Sequence, residues 1–134
     1  MAGTVTFAYD RQGPIQVVTA TCTADSADAS YPATAIPVGI SGLIRALQTN
    51  PGSTAPQANY DITLPNDDGI DTLQGVGANR HTSNSERASV VYSGTAVHSE
   101  VAKSDTLTLT LANNNVNSAV SVVKIYVEGT IDPT

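Results

Sequence analysis

Apolar and polar residues alternate with a period of two along most of this chain, the pattern of strands that bury one face and expose the other. Thr4 to Asp10 sets Val5, Phe7 and Tyr9 against Thr4, Thr6 and Ala8. Gly13-Pro14 interrupts, and Ile15 to Thr23 resumes with Val18, Ala20 and Cys22 on one face and Ile15, Val17, Thr19 and Thr21 on the other. The two segments read as an opening hairpin or strand pair. Asp25 to Tyr31 is small and polar, and Pro32 and Pro37 enclose a short extended piece suited to an edge strand.

Gly39 to Thr49 fits two periods. Ile40, Leu43, Ile44 and Leu47 have helical spacing, while Leu43, Arg45, Leu47 against Ile44, Ala46, Gln48 makes a strand. Gly39, Gly42 and Pro51-Gly52 bracket the segment as sheet punctuation does, so strand is the favoured reading. Asn59 to Pro65 alternates again and leads through Asn66-Asp67-Asp68-Gly69 to Ile70, Thr72 and Leu73, a hairpin pattern with Asp68-Gly69 at the turn. Gly75 to Arg87 reads as a long polar surface loop. Ser89 to Val97, Asp105 to Leu111 and Ala119 to Val127 are the clearest strands, the last two joined by Asn113-Asn114-Asn115. About eight strands with short turns predict a single all-β domain, a β-sandwich or jelly roll, over residues 1–134. Residues 1–12 and 128–134 are read as extended arms able to join a neighbour's sheet edge.

Composition supports the class. Of 134 residues only 13% are charged and 4% aromatic, with no Trp. The Glu, Lys, Arg and Leu that fill long helices are scarce, and the abundant Thr and Val suit a pleated surface. A chain of this length buries enough surface for an apolar core without disulfides or metal. Six basic against twelve acidic residues leave a net charge of −6. No basic run exists to displace counterions from nucleic acid or to meet an anionic membrane, which disfavours both partners. Cys22 is the only cysteine and sits in an apolar, Thr-rich run, as a buried inert thiol would. The start, Met1 to Tyr9, lacks the charged and apolar blocks of a signal peptide, no stretch of about 18 apolar residues occurs, and no Asn-x-Ser/Thr sequon is present. Synthesis in a cytoplasm is the expectation.

Candidate chemistry is thin. The acidic cluster Asp67, Asp68 and Asp71 is the candidate metal site, since carboxylates in a tight loop hold calcium when their oxygens converge. With Gly69 set on the glycine of an EF-hand loop, Asn66 and Asp68 fit, but Leu64 falls on the first ligand position and no Glu closes the loop. A plain hairpin turn is the simpler account. His81 lies in the polar loop near Arg80 and Arg87, and His98 lies next to Glu100. With one Cys, neither makes a zinc pattern. No Gly-x-Ser-x-Gly elbow or phosphate loop occurs: Gly39-Ile40-Ser41-Gly42 and Gly75-Val76-Gly77 both lack the spacing. Asp67 and Asp71 as a glycosidase pair is an option any acidic loop offers. No cofactor and no enzymatic activity are expected.

The stretch Ala55 to Leu64, then Asp67-Asp68-Gly69-Ile70-Asp71 with Leu73, then Gly75-Val76-Gly77-Ala78-Asn79-Arg80, resembles small virion structural proteins of tailed bacteriophages. The resemblance is best between about Gly42 and Arg80. It implies a head decoration, or cement, protein made in the host bacterial cytoplasm. Such a protein binds the outside of the icosahedral shell as dimers or trimers and bridges subunits of the major capsid protein. It carries over no active-site residue. Two other classes remain beside it. One is a tail or head-tail component whose loop at Gly75 to Arg87 meets a host glycan, weakened by a supply of five Tyr, one Phe and no Trp. The other is a metal- or carbohydrate-dependent enzyme, for which no constellation is present.

Overall fold

The computed structural model describes residues 3–90 and 99–132. Among them there is no helix, and nine strands form two antiparallel sheets. The larger sheet begins with β1 (Thr4–Asp10) and β2 (Ile15–Thr23), paired from Thr4↔Thr23 to Asp10↔Val17. It continues through β9 (Val120–Ile131) to β4 (Ile40–Pro51), whose far side carries β6 (Glu86–Ser89) on its C-terminal half and β7 (Ser99–Val101) on its N-terminal half. The smaller sheet is β3 (Thr34–Ala35), β8 (Thr108–Ala112) and β5 (Asp61–Thr63).

The sheets face each other across one apolar core, giving a sandwich-like all-β domain. Val18, Ala20 and Cys22 of β2, Val123, Ile125 and Val127 of β9, and Ile40, Ile44 and Leu47 of β4 come from the large sheet. Ile62, Leu109 and Leu111 of the small sheet meet them, with Leu107, Leu64 and Leu73 from adjoining turns. Each Val, Leu or Ile among them contributes about 1.5–3 kcal/mol on burial, and within β2, β8 and β9 the period of two delivers them to one side.

β4 settles the segment with two periods, and a bulge explains the ambiguity. Ile44 pairs with Val127 but Ala46 pairs with Tyr126, so Arg45 is an extra residue. The bulge shifts the alternation by one position. Ile40 and Ile44 face the core before it and Leu47 after it, which imitates helical spacing in sequence. The extra residue is itself bonded: the Arg45 carbonyl accepts from the Val90 amide at 2.9 Å.

Several expectations are redrawn. Residues 4–10 form the strand pair with Ile15–Thr23 that alternation predicts and so are not also a free arm, because β2 supplies partners for every residue. Glu128 to Ile131, also read as arm, are the end of β9, where Ile131 is buried opposite Ile40. Pro133 and Thr134 lie outside the described residues. β5 does not pair with Ile70 to Leu73 as a full hairpin; it pairs with β8, and only the bridge Pro65↔Asp71 closes locally. The strand expected from Asp105 starts at Thr108, since Asp105 donates to the Ala102 carbonyl in a turn. Of the strand expected over Ser89 to Val97, Ser89 ends β6, and 91–98 lie outside the described residues.

Cys22 is fully buried, and burial pushes its thiol up to about 12. Burial likewise raises the phenols of Tyr31 and Tyr60, the former donating to the Ala119 carbonyl at 3.0 Å and the latter bonded to Ser121 Oγ at 2.9 Å. All three ionise more easily unfolded than folded. Their contribution is therefore complete below about pH 9 and declines as pH rises from there, because the native state then holds the extra protons. Denaturant midpoints are expected to fall above about pH 9, and the native thiol to resist disulfide reagents near neutral pH. Stoichiometric labelling of the folded protein under those conditions would contradict the burial.

Candidate functional site

The acidic turn is the first place to look for chemistry. Asp67 and Asp68 are exposed at its tip, while Asn66 Oδ1 accepts from the amides of Asp68 at 3.0 Å and Ile70 at 3.1 Å. Gly69, at φ 79°, closes the turn by donating to the Asn66 carbonyl. Asp71 does something different. Its Oδ1 accepts from Leu64 N at 2.9 Å and Leu73 N at 3.0 Å, and its Oδ2 from Gly75 N at 3.1 Å. The carboxylate is thus turned inward onto three backbone amides, away from the other two acids. The three candidate ligands do not converge, and among the described residues no group of three or more His, Cys, Asp or Glu side chains is placed to hold a metal ion. The turn reading accounts for Asn66, Gly69 and Asp71 together.

The segment from Gly75 to Arg87 is less free than a loop of its composition suggests. Ile62 donates to the Gly77 carbonyl at 2.8 Å, and at the bridge Tyr60↔Arg80 the Asn59 amide donates to the Arg80 carbonyl at 3.0 Å while the Arg80 amide donates to the Tyr60 carbonyl at 2.8 Å. A Cβ at Gly77 would stand 2.0 Å from the Ile62 carbonyl oxygen, so only glycine permits this approach. Beyond it, His81 Nδ1 accepts from the amides of Ser83 at 3.0 Å and Asn84 at 2.9 Å, and Glu86 Oε1 accepts from His81 N at 2.8 Å. Nδ1 as acceptor places the proton of the neutral ring on Nε2. His81 is exposed and organises its own turn, and Glu86 and Arg87 already belong to β6. His98 lies outside the described residues.

A depression of about 200 Å³ opens between the segment after β2 and the turn after β8, lined by Asp28 to Tyr31 and Leu111 to Asn114. Its polar groups are committed to one another. Asp28 Oδ1 accepts from Ser30 Oγ at 2.7 Å and Ser30 N at 3.0 Å, bonds that hold its carboxyl below the ordinary range. The Asn114 amide donates to the carbonyls of Ala29 at 2.9 Å and Val116 at 3.1 Å and accepts from Gln57 N and Val116 N. Asn113 bonds to the Asp61 carboxylate. The sequence pattern marks one wall as polar loop and the other as a strand end with the Asn113-Asn114-Asn115 turn, and does not show the depression. Its walls lie more than eighty positions apart, and no local pattern announces that they meet.

The most extensive feature is the outer face of the large sheet. Cross-strand register places Thr6, Thr21, Val122 and Asn50 in one row, and Ala8, Thr19, Lys124, Gln48 and Arg87 in the next. A third row brings Val17, Tyr126 and Ala46 together. These side chains are half-buried or exposed apart from Ala46, because among the described residues no second layer covers this side. Arg87 lies over the Tyr126 ring at 4.0 Å, and Arg45 pairs with Glu128 at the margin. The face is a broad surface of Thr, Val, Ala and Tyr with the amides of Gln48 and Asn50, and in its middle row the cations Lys124 and Arg87 stand on either side of Gln48.

Comparison with protein-family models, with curated proteins and with solved structures gives no significant match.

Proposed function

We propose that this chain is a structural module of a tailed-phage particle, a decoration protein on the outside of the icosahedral head that bridges neighbouring subunits of the major capsid protein. The observation that carries the reading is the outer face of the six-stranded sheet, which no second layer covers among the described residues. A wide β surface of Thr, Val and Ala, with Tyr126, Lys124 and Arg87 standing among them, suits contact with another flat protein surface, where many small contributions add. A catalytic cleft needs the opposite: polar groups left unpaired and converging on one point. Here Asp28 Oδ1, both carboxylate oxygens of Asp71, His81 Nδ1 and the Asn114 amide are bonded to neighbouring backbone or side chains. The net charge of −6 suits a position outside a DNA-filled shell. The resemblance of Gly42 to Arg80 to small virion proteins points the same way.

On a symmetric shell each contact recurs, so modest interfaces acquire avidity. Quantitative mass spectrometry and cryo-EM of purified particles are expected to show the protein in the high copy number of the shell lattice, on the head exterior. A handful of copies at one vertex would move it to the tail, and absence from the particle would end the proposal. Particles lacking it are expected to release DNA at a lower temperature or after a weaker osmotic shock. Equal survival of particles with and without it would count against cementing.

A further inference from the structure

We infer that β1 is a dimerisation edge, pairing antiparallel with β1 of a second copy about a two-fold axis at Phe7, so that two six-stranded sheets become one. Open sheet edges are normally guarded by shortness, lysine, proline or a bulge. β3, β5, β6 and β7 are guarded by shortness, at two to four residues each. β1 has none of these protections. It runs seven residues without Lys, Arg, Pro or register shift, and among the described residues it pairs only with β2. Arg11, directly after it, is turned aside: its Nε donates to the Asp132 carbonyl at 3.1 Å, and its guanidinium lies over the Tyr9 ring at 4.7 Å. Asp10, its one acid, sits at the end, with Oδ1 accepting from Gln12 N.

The edge is also self-complementary. Centring the axis on the middle residue is the register that pairs all seven positions, and it sets Phe7 against Phe7 of the other copy. Val5 then opposes Tyr9 on the inner face, Thr6 opposes Ala8 on the outer face, and Asp10 opposes Thr4, so no like charges meet. Val5, Phe7 and Tyr9 pack against the core yet remain only partly buried, and the same row from the second copy would extend that cover. Aromatic and β-branched cross-strand pairs of this kind are among the favourable ones. Because β2 already holds β1 extended, docking orders little new chain. One strand per partner makes an interface smaller than the standard size, so association in the micromolar range is expected.

The test uses the isolated chain and does not depend on the capsid reading. Sedimentation across micromolar concentrations is expected to give twice the 13.8 kDa chain mass. The double variant T6K/A8K places ammonium groups opposite each other at both outer-face pairs and is expected to sediment as a monomer with unchanged circular dichroism, since Thr6 and Ala8 are exposed. The variant T6K/A8E places an ammonium opposite a carboxylate in that register and is expected to restore the dimer. A wild-type monomer throughout, a trimer, or a dimer indifferent to T6K/A8K would overturn the proposal. So would failure of T6K/A8E to restore association, which would assign the edge to another register or another protein's strand.

Discussion

Replacing Gly129 by alanine is expected to cost more than about 4 kcal/mol, in the rare tail of single substitutions, and to lower the thermal midpoint by about 12–20 °C. Gly42 and Gly129 face each other across β4 and β9, the central strand pair of the large sheet. A Cβ on Gly129 would stand 2.0 Å from the Ser41 carbonyl oxygen and 2.8 Å from the Gly42 Cα. Both obstacles are backbone, so relief requires separating the strands that carry Ile40, Ile44, Val127 and Ile131 into the core. Gly42 is the reciprocal case, with φ at 130° and a Cβ 2.2 Å from the Glu128 carbonyl oxygen. Gly13 supplies the control. It too has positive φ, at 78°, but a Cβ there meets nothing within 4 Å. Gly13→Ala is therefore expected to cost only the left-handed backbone penalty of about 1 kcal/mol. A Gly129→Ala midpoint no lower than that of Gly13→Ala would show that the close approach is not there. Domains of this kind hold a total of about 5–15 kcal/mol, so Gly129→Ala is also expected to reduce soluble yield.

Asp71→Ala is expected to be the most damaging change in the acidic turn, at about 3 kcal/mol by denaturant titration. The carboxylate accepts three backbone amides, and bonds to a charged acceptor contribute about 1.5–3 kcal/mol each when their donors are sheltered. Leu64 and Leu73, which supply two of those donors, have fully buried side chains, so losing Asp71 loosens two core residues as well as a turn. Gly75 is exposed, and water takes over its amide. Asp71→Asn keeps one oxygen acceptor and is expected to lose less. Asp67→Ala and Asp68→Ala, at the exposed tip, are expected to stay within about 0.5 kcal/mol of the parent. The comparison separates a turn clamp from a cation site. If the three acids act together on a metal ion, all three alanine variants lose stability alike and a chelator lowers the parent's midpoint. If Asp71 acts alone on backbone amides, only its variants move and the chelator does nothing.

What could be read before the fold was known was whatever depends on neighbours in the chain. Alternation in Ile15 to Thr23 and Ala119 to Val127 divided each strand into the two faces that the structure buries and exposes, because inward and outward positions repeat every two residues along a single strand. Cys22 was placed in the core by its apolar, Thr-rich surroundings. The turn at Asn66 to Gly69 was legible because Asn and Gly tolerate the backbone that a tight reversal needs. The reading of Gly39 to Thr49 as strand rested on flanking glycines, since the bulge at Arg45 made the apolar spacing look helical.

The all-β class and the division of most strands into two opposed faces were thus determined by the sequence alone, since they follow from side-chain chemistry at a period of two. Pairing was decided only by tertiary structure. That β5 joins β8 and not the residues just after its own turn, that Glu128 to Ile131 complete β9, and that Asp28 and Asn114 border one depression all involve segments separated by tens of residues. Such contacts depend on closing long loops and filling a shared core, and no local pattern encodes them. The role of Asp71 belongs with them. Its residue type announced a carboxylate in an acidic turn, but only the folded backbone brings the amides of Leu64, Leu73 and Gly75 to within hydrogen-bond distance of it.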